Sequence, residues 1–191
     1  MRHYTSVPHE HVSRHTTYPD CRAKQHEDPR QHPDRRRRPR EGGGALTVVV
    51  RHAGPGDEAV VARLVREMAE GEGEASPVDE HYVRHFLASP ASGALLAWDD
   101  GEVVGLLSYC MTPGLFHAAD SGLIELLIVT PARRGEGIGR RLVETALRLF
   151  REAGCAEASV STGEGNDPAQ RVYRAAGLTE SSLLLEKHFS T

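Results

Sequence analysis

From Leu46 onward the apolar positions of the chain follow either a strand or a helix period. Leu46 to Arg51 is short and β-branched and predicts a strand. Pro55-Gly56-Asp57 opens a helix whose Val60, Val61, Leu64, Val65 and Met68 share one face, and Gly71-Glu72-Gly73-Glu74 breaks it. Pro77 to Leu87 repeats the helical pattern more weakly. Ala94 to Trp98 and Glu102 to Cys110 read as two strands joined by Asp99-Asp100-Gly101, a hairpin signal. Leu123 to Val129 is a continuous apolar run with one carboxylate, Glu125, and a Thr-Pro break after it, the mark of a buried strand. Gly137 to Ala153 is the longest helix, with Ile138, Leu142, Ala146, Leu149 and Ala153 as its core stripe and Gly154 as its stop. Glu157 to Ser161 predicts a strand, Asp167 to Ala176 a helix closed by Gly177, and Ser182 to Phe189 a last strand. The order β-α-α-β-β-β-α-β-α-β predicts an α/β fold, a mixed central sheet flanked by helices.

Residues 1–44 follow neither period. They are rich in His, Arg and Pro, with almost no aliphatic side chains, and such a segment cannot bury enough surface to offset the entropy of ordering. The expectation is a disordered tail over 1–44, a hinge at Gly42-Gly43-Gly44, and one folded domain over 45–191. Charge divides the same way. The tail holds ten Lys or Arg against six Asp or Glu, and the rest holds thirteen against twenty-one, so a net −4 conceals a basic tail and an acidic domain. Arg35 to Arg38 is the sharpest feature of the tail, but no fold surrounds it and no aromatics interleave, so a solvated linker outweighs a nucleic-acid contact. His11 and His15 stand four apart with no helical pattern around them, and a metal site is not expected. Cys21, Cys110 and Cys155 are odd in number and irregularly spaced, which argues against a disulfide framework. Neither a long apolar run nor an N-terminal apolar h-region is visible, so the expectation is a cytoplasmic protein with no membrane partner.

The run Arg134-Gly135-Glu136-Gly137-Ile138-Gly139-Arg140 joins the Leu123–Val129 strand to the longest helix. Backbone N–H groups of a glycine turn and of a first helical turn lack internal acceptors and favour an anion. The turn is not a P-loop, because Arg140 and Arg141 stand where Lys and Ser or Thr are needed, and it is not a dinucleotide fingerprint, because Arg140 occupies the third Gly position. Arg134-x-x-Gly137-x-Gly139 resembles the pyrophosphate loop of the GNAT superfamily of acetyl-CoA dependent N-acetyltransferases. Asn166-x-x-Ala169-x-x-x-Tyr173-x-x-x-Gly177 is similar to a downstream segment of that superfamily. The resemblance covers most of Leu46 to Phe189 and implies the GNAT fold, with the element order read above.

Acetyl transfer to an amine needs a base for the ammonium proton, donors for the oxyanion and a proton for the departing thiolate. The resemblance implies that backbone groups from Gly135 to Arg140 hold the pyrophosphate, with charge added by Arg134 and Arg140. It implies that the strand before the loop splays from its neighbour, so that backbone groups of Leu127, Ile128 and Val129 pair with the pantetheine arm and a donor near Leu127 serves the oxyanion. Glu125 matches a glutamate that in some members accepts the amine's proton or holds a cationic substrate, and burial would raise its pKa toward a useful range. Tyr173 matches the tyrosine that protonates the thiolate, and Asn166 and Ala169 lie in the segment that contacts the arm. Ser108, Tyr109 and Cys110 are candidates for the acceptor side without a motif. The function implied is an N-acetyltransferase acting by direct transfer in a ternary complex, with acetyl-CoA as cosubstrate and no metal. The acceptor expected is a small primary amine. Glu72, Glu74, Asp79 and Glu80 near the acceptor mouth favour a cationic one. The rivals are a non-catalytic acyl-CoA sensor or interaction module on the same fold, which has less need of Glu125 and Tyr173, and an O-acyltransferase or a user of longer acyl chains. A homodimer is left open.

Overall fold

The computed structural model of the protein describes residues 48–187 and 189. The expected tail, its glycine hinge, the Arg35–Arg38 run, His11, His15, Cys21 and the expected strand start at Leu46 lie outside the described residues.

Five strands form one sheet in chain order: β1 Val49–His52, β2 Ser92–Asp99, β3 Glu102–Gly114, β4 Ala119–Val129 and β5 Glu157–Val160. β1 to β4 are antiparallel to their neighbours and β5 pairs parallel to β4, which makes the sheet mixed as expected. The helices are α1 Glu58–Gly71, α2 Glu80–Ala88, α3 Ile138–Glu152 and α4 Asp167–Ala175. They cover both faces. α1 and α2 bury Val61, Leu64, Val83 and Leu87 against Ala94, Leu96, Leu106 and Ile128. On the other face α3 buries Ile138, Leu142, Val143, Ala146 and Phe150 against Leu95, Leu107, Tyr109 and Ile124, and Tyr173 of α4 joins them.

α3 lies close to the sheet because two glycines admit it. A Cβ on Gly122 would sit 2.5 Å from the Phe150 ring, and one on Gly105 would sit 3.1 Å from Leu142 Cδ1 and from the Ile128 carbonyl. Both ends of the helix are thereby seated at a fixed depth. The β2–β3 hairpin turns through Asp100 and Gly101, both at positive φ (50° and 82°), the backbone that a two-residue turn matched to strand twist requires.

Four expectations are corrected. α2 starts at Glu80 rather than Pro77, because the Asp79 side chain accepts from the Tyr82 N–H at 2.7 Å and caps the helix there. The strands expected at Glu102 to Cys110 and Leu123 to Val129 run further toward each other: pairing extends to Gly114↔Ala119, and just Leu115 to Ala118 turns. Tyr109 does not line a site with Ser108 and Cys110; alternation puts it on the α3 face, edge-on to Phe150 at 5.6 Å. Ser182–Phe189 forms no strand at its described positions, and Leu183 and Leu185 are 83% and 84% exposed. Three consecutive leucines carry no period-2 pattern, and no ladder joins them to the four-residue β5.

Candidate active site

The glycine turn begins with a short 3₁₀ turn, Pro131–Arg133, and ends where Gly137 caps α3. Gly135 and Gly137 have φ of +83° and +81°, a left-handed backbone that costs any L side chain about 1–2 kcal/mol. Neither has a heavy atom within 4 Å of where a Cβ would stand, so both face open space. Gly137 offers no side-chain cap, and the N–H groups of Ile138, Gly139 and Arg140 therefore lack the acceptor that Ser or Asp would give. Open room, unpaired donors and the positive end of a helix dipole fit a bound pyrophosphate. Of the two flanking cations, Arg134 rests its Nε on the Val129 carbonyl at 3.2 Å, and Arg140 pairs with Glu144 at 2.7 Å along the helix.

β4 supplies the second part. It pairs with β5 from Ser121 to Ile124 and continues to Val129 beside β3 alone, so the two parallel strands part at Glu125. Among the described residues, Leu127, Ile128 and Val129 thus present one edge without a strand neighbour, as a peptide-like arm needs. Gly139 marks where the parts meet. A Cβ there would lie 3.6 Å from Leu127 Cδ2 and Val129 Cγ2, and 3.9 Å from Val172 Cγ1 of α4. The next residue, Tyr173, is buried, and desolvation pushes its hydroxyl pKa up and keeps it protonated at neutral pH. Asn166 caps α4, its Oδ1 accepting from the Ala169 N–H at 3.2 Å, and Ala169 packs at the margin of the α3-side core.

Glu125 is the extra residue of a β-bulge: Ser108 pairs with Leu126 and Tyr109 with Ile124, which leaves Glu125 without an opposite. The bulge turns its carboxyl to the α1–α2 face, where the Ser108 hydroxyl donates to Oε2 in a long contact of 3.5 Å. The side chain is reachable from solvent, yet the surrounding strands desolvate the carboxyl and push its pKa above the ordinary value, against the pull of Ser108. Cys110 lies on the same face, its thiol pushed up by desolvation and then by the Glu125 charge, which is no setting for a nucleophile. Glu125 and Tyr173 therefore lie on opposite faces of the sheet.

Two participants are invisible to local patterns. Arg133 donates from Nη1 to Asp99 Oδ2 at 2.7 Å and from Nε to Glu136 Oε2 at 2.8 Å. The contact between Asp99 and Arg133 spans 34 positions, so no motif marks it. A depression of about 430 Å³ lies at the other end of α3, by Gly114, Ala153 and Gly154, and brings no set of convergent polar groups. Among the described residues no helix is long and apolar enough to cross a membrane.

Residues 60–178 match the model of the Acetyltransferase (GNAT) family. The chain is similar to an aminoalkylphosphonate N-acetyltransferase of Salmonella typhimurium (strain LT2), 32% identical over 138 residues, which are 72% of this chain and 89% of that protein. It is also similar to a thialysine N-epsilon-acetyltransferase of Bos taurus, 29% identical over 70% of this chain and 87% of that one. The crystal structure of a transcriptional regulator from Bacillus halodurans C-125 superposes with a TM-score of 0.66 at 28% identity, covering 74% of this chain and 99% of that one.

Proposed function

The chain belongs to the acetyltransferase (GNAT) family, and from that premise we propose that it transfers an acetyl group from acetyl-CoA directly to a primary amine bound beside Glu125. The observation that carries this reading is the parting of β4 from β5 at Glu125, directly before an open glycine turn. Acetyl-CoA supplies the activated acyl carbon as a thioester. The amine nitrogen attacks that carbon, the C–S bond breaks, and the proton of the amine passes to the Glu125 carboxylate, directly or through water. The backbone N–H groups near Leu127 hold the developing oxyanion, and the Tyr173 hydroxyl gives its proton to the thiolate. Gly135 to Arg140 hold the pyrophosphate, and Leu127 to Val129, Asn166 and Ala169 flank the pantetheine arm. The catalytic unit is taken as 45–191.

The test is turnover of acetyl-CoA over a panel of amines, read as free thiol. The panel holds polyamines, aminosugars, lysine-like diamines and aminoalkylphosphonates, because two relatives are named for amines of the last two kinds. No thiol release with any amine, in protein that binds CoA, would favour a non-catalytic role.

Tyr173→Phe is expected to lower kcat by roughly 10²-fold, within the usual range for a positioned acid, with the KM for acetyl-CoA little changed. An unchanged kcat would remove Tyr173 from the chemistry. The acceptor's charge is the finer point. Glu72, Glu74, Asp79 and Glu80 are all exposed. Asp79 also caps α2, and its charge adds to the steering field of the other three. kcat/KM for a cationic amine is expected to fall as salt rises, since the screening length drops to roughly 8 Å near physiological ionic strength. Glu72→Gln with Glu74→Gln should flatten that slope, and a faster turnover of aminoalkylphosphonates at low salt would reverse the assignment.

A further inference from the structure

The glycine turn cannot set its own shape. Its middle residue, Glu136, stands between Gly135 and Gly137, the two residues with φ near +80°, and glycine backbone is the least restrained in any chain. It also carries a carboxylate into a turn read above as an anion site. Both features are met by one side chain. Arg133 closes the preceding 3₁₀ turn and lies 13% exposed. Its Nε and Nη2 both reach Glu136 Oε2 at 2.8 Å, while its Nη1 reaches Asp99 Oδ2 at 2.7 Å. Asp99 is the last residue of β2, its side chain 2% exposed, at a position fixed by pairing with Glu102 across the hairpin. The guanidinium therefore ties the middle of the turn to the rigid end of the sheet. The planar fork suits this, because an ammonium cannot hold two carboxylates in fixed directions.

We infer that Arg133 is a positioning residue for the donor site: seated on Asp99, it holds Glu136, and so sets both the shape of the glycine turn and the charge that the pyrophosphate meets. With Arg133 in place the Glu136 carboxylate is turned onto a cation. Without it, the Glu136 carboxylate loses that cation between the two glycines, where its charge opposes the anion. The two flanking cations are turned elsewhere, Arg134 to the Val129 carbonyl and Arg140 to Glu144. This inference rests on the reading of the turn as the CoA site.

Calorimetric titration of the full chain with CoA tests it, alongside thermal melting and turnover of two donors, acetyl-CoA and acetylpantetheine, which lacks the pyrophosphate. Arg133→Met is expected to weaken CoA binding by about tenfold or more, the range of a lost charge-assisted pair. Adding Glu136→Gln should restore part of that affinity, and Arg133→Lys should fall between wild type and Arg133→Met. Turnover of acetylpantetheine should change less than about twofold in all three, within the spread of substitutions that do not touch a step. Arg133→Met takes the guanidinium away from buried Asp99, so Asp99→Asn with Arg133→Met is the companion variant if the single one does not fold. Unaltered CoA affinity in a folded Arg133 variant overturns the inference, as does an equal loss with both donors, which marks a purely structural role. No recovery from Glu136→Gln overturns the charge role. If wild type itself does not bind CoA, the functional reading fails and this inference with it.

Discussion

Replacing Glu125 by Gln is expected to lower kcat/KM by roughly 10²- to 10⁴-fold, the range of a positioned general base, and to raise Tm at neutral pH. The two effects share one cause. Desolvation by the strands around the bulge holds the Glu125 pKa above its ordinary value. A carboxyl so placed binds its proton more tightly folded than unfolded. Stability is therefore lost as pH rises from the unfolded pKa through the folded one, and the whole cost is present above the folded pKa. Gln has no charge to desolvate, so it removes the cost and the base together, a trade that active sites commonly show. The difference in Tm should vanish in acid, below the unfolded pKa, where Glu125 is protonated in both states. Activity gives the complementary signature. In wild type kcat/KM should rise with pH along a limb set by Glu125, and that limb should be missing from the residual activity of Glu125→Gln. A variant that keeps both its rate and its acidic limb would reassign Glu125 to the fold.

Gly137→Glu should leave a folded domain without measurable affinity for CoA, and Gly137→Ala separates the reasons. Gly137 has φ of +81°, so either side chain adds about 1–2 kcal/mol of backbone strain and the two variants should lose Tm about equally. The strain is present with and without ligand, so by itself it changes binding little. The Ala methyl meets no heavy atom within 4 Å, so it adds no clash. The Glu side chain fills the space ahead of the α3 N-terminus and adds a like charge. Two unit charges 4 Å apart interact by about 4 kcal/mol at an effective dielectric near 20, so a loss of a hundredfold or more is expected even after screening. Equal CoA affinities for the Ala and Glu variants, both folded, would mean that the pyrophosphate does not sit over Gly137.

Much of this protein is local and could be read in order. α3 is visible because Ile138, Leu142 and Ala146 recur at the helix period, and the turn before it because two glycines take a backbone closed to other residues. The hairpin at Asp100-Gly101 follows from the same kind of chemistry. Glu125 stood out as one charge in an apolar strand, and Tyr173 because its spacing from Asn166 and Gly177 resembles a segment of the GNAT superfamily. These features lie within a few residues of their causes.

What the sequence by itself determined is the elements from β1 to α4, their order, and which of them carries the anion turn, since periodicity and turn chemistry act between near neighbours. What tertiary structure decided is every relation across the sheet. The bulge that turns Glu125 to the α1–α2 face depends on how β4 registers against β3. The parting at Glu125 depends on where β5 stops, and the hairpin beyond Met111 on a ladder that no apolar alternation announces. The apolar residues at Ser182–Phe189 predicted a strand, but a strand exists through its partner, and none pairs with the described positions there. The tie from Asp99 through Arg133 to Glu136 joins a hairpin to a turn 34 positions later. Such contacts are fixed when the sheet and α3 pack together, because only packing brings distant residues within bonding distance and selects one register from several that the local pattern allows.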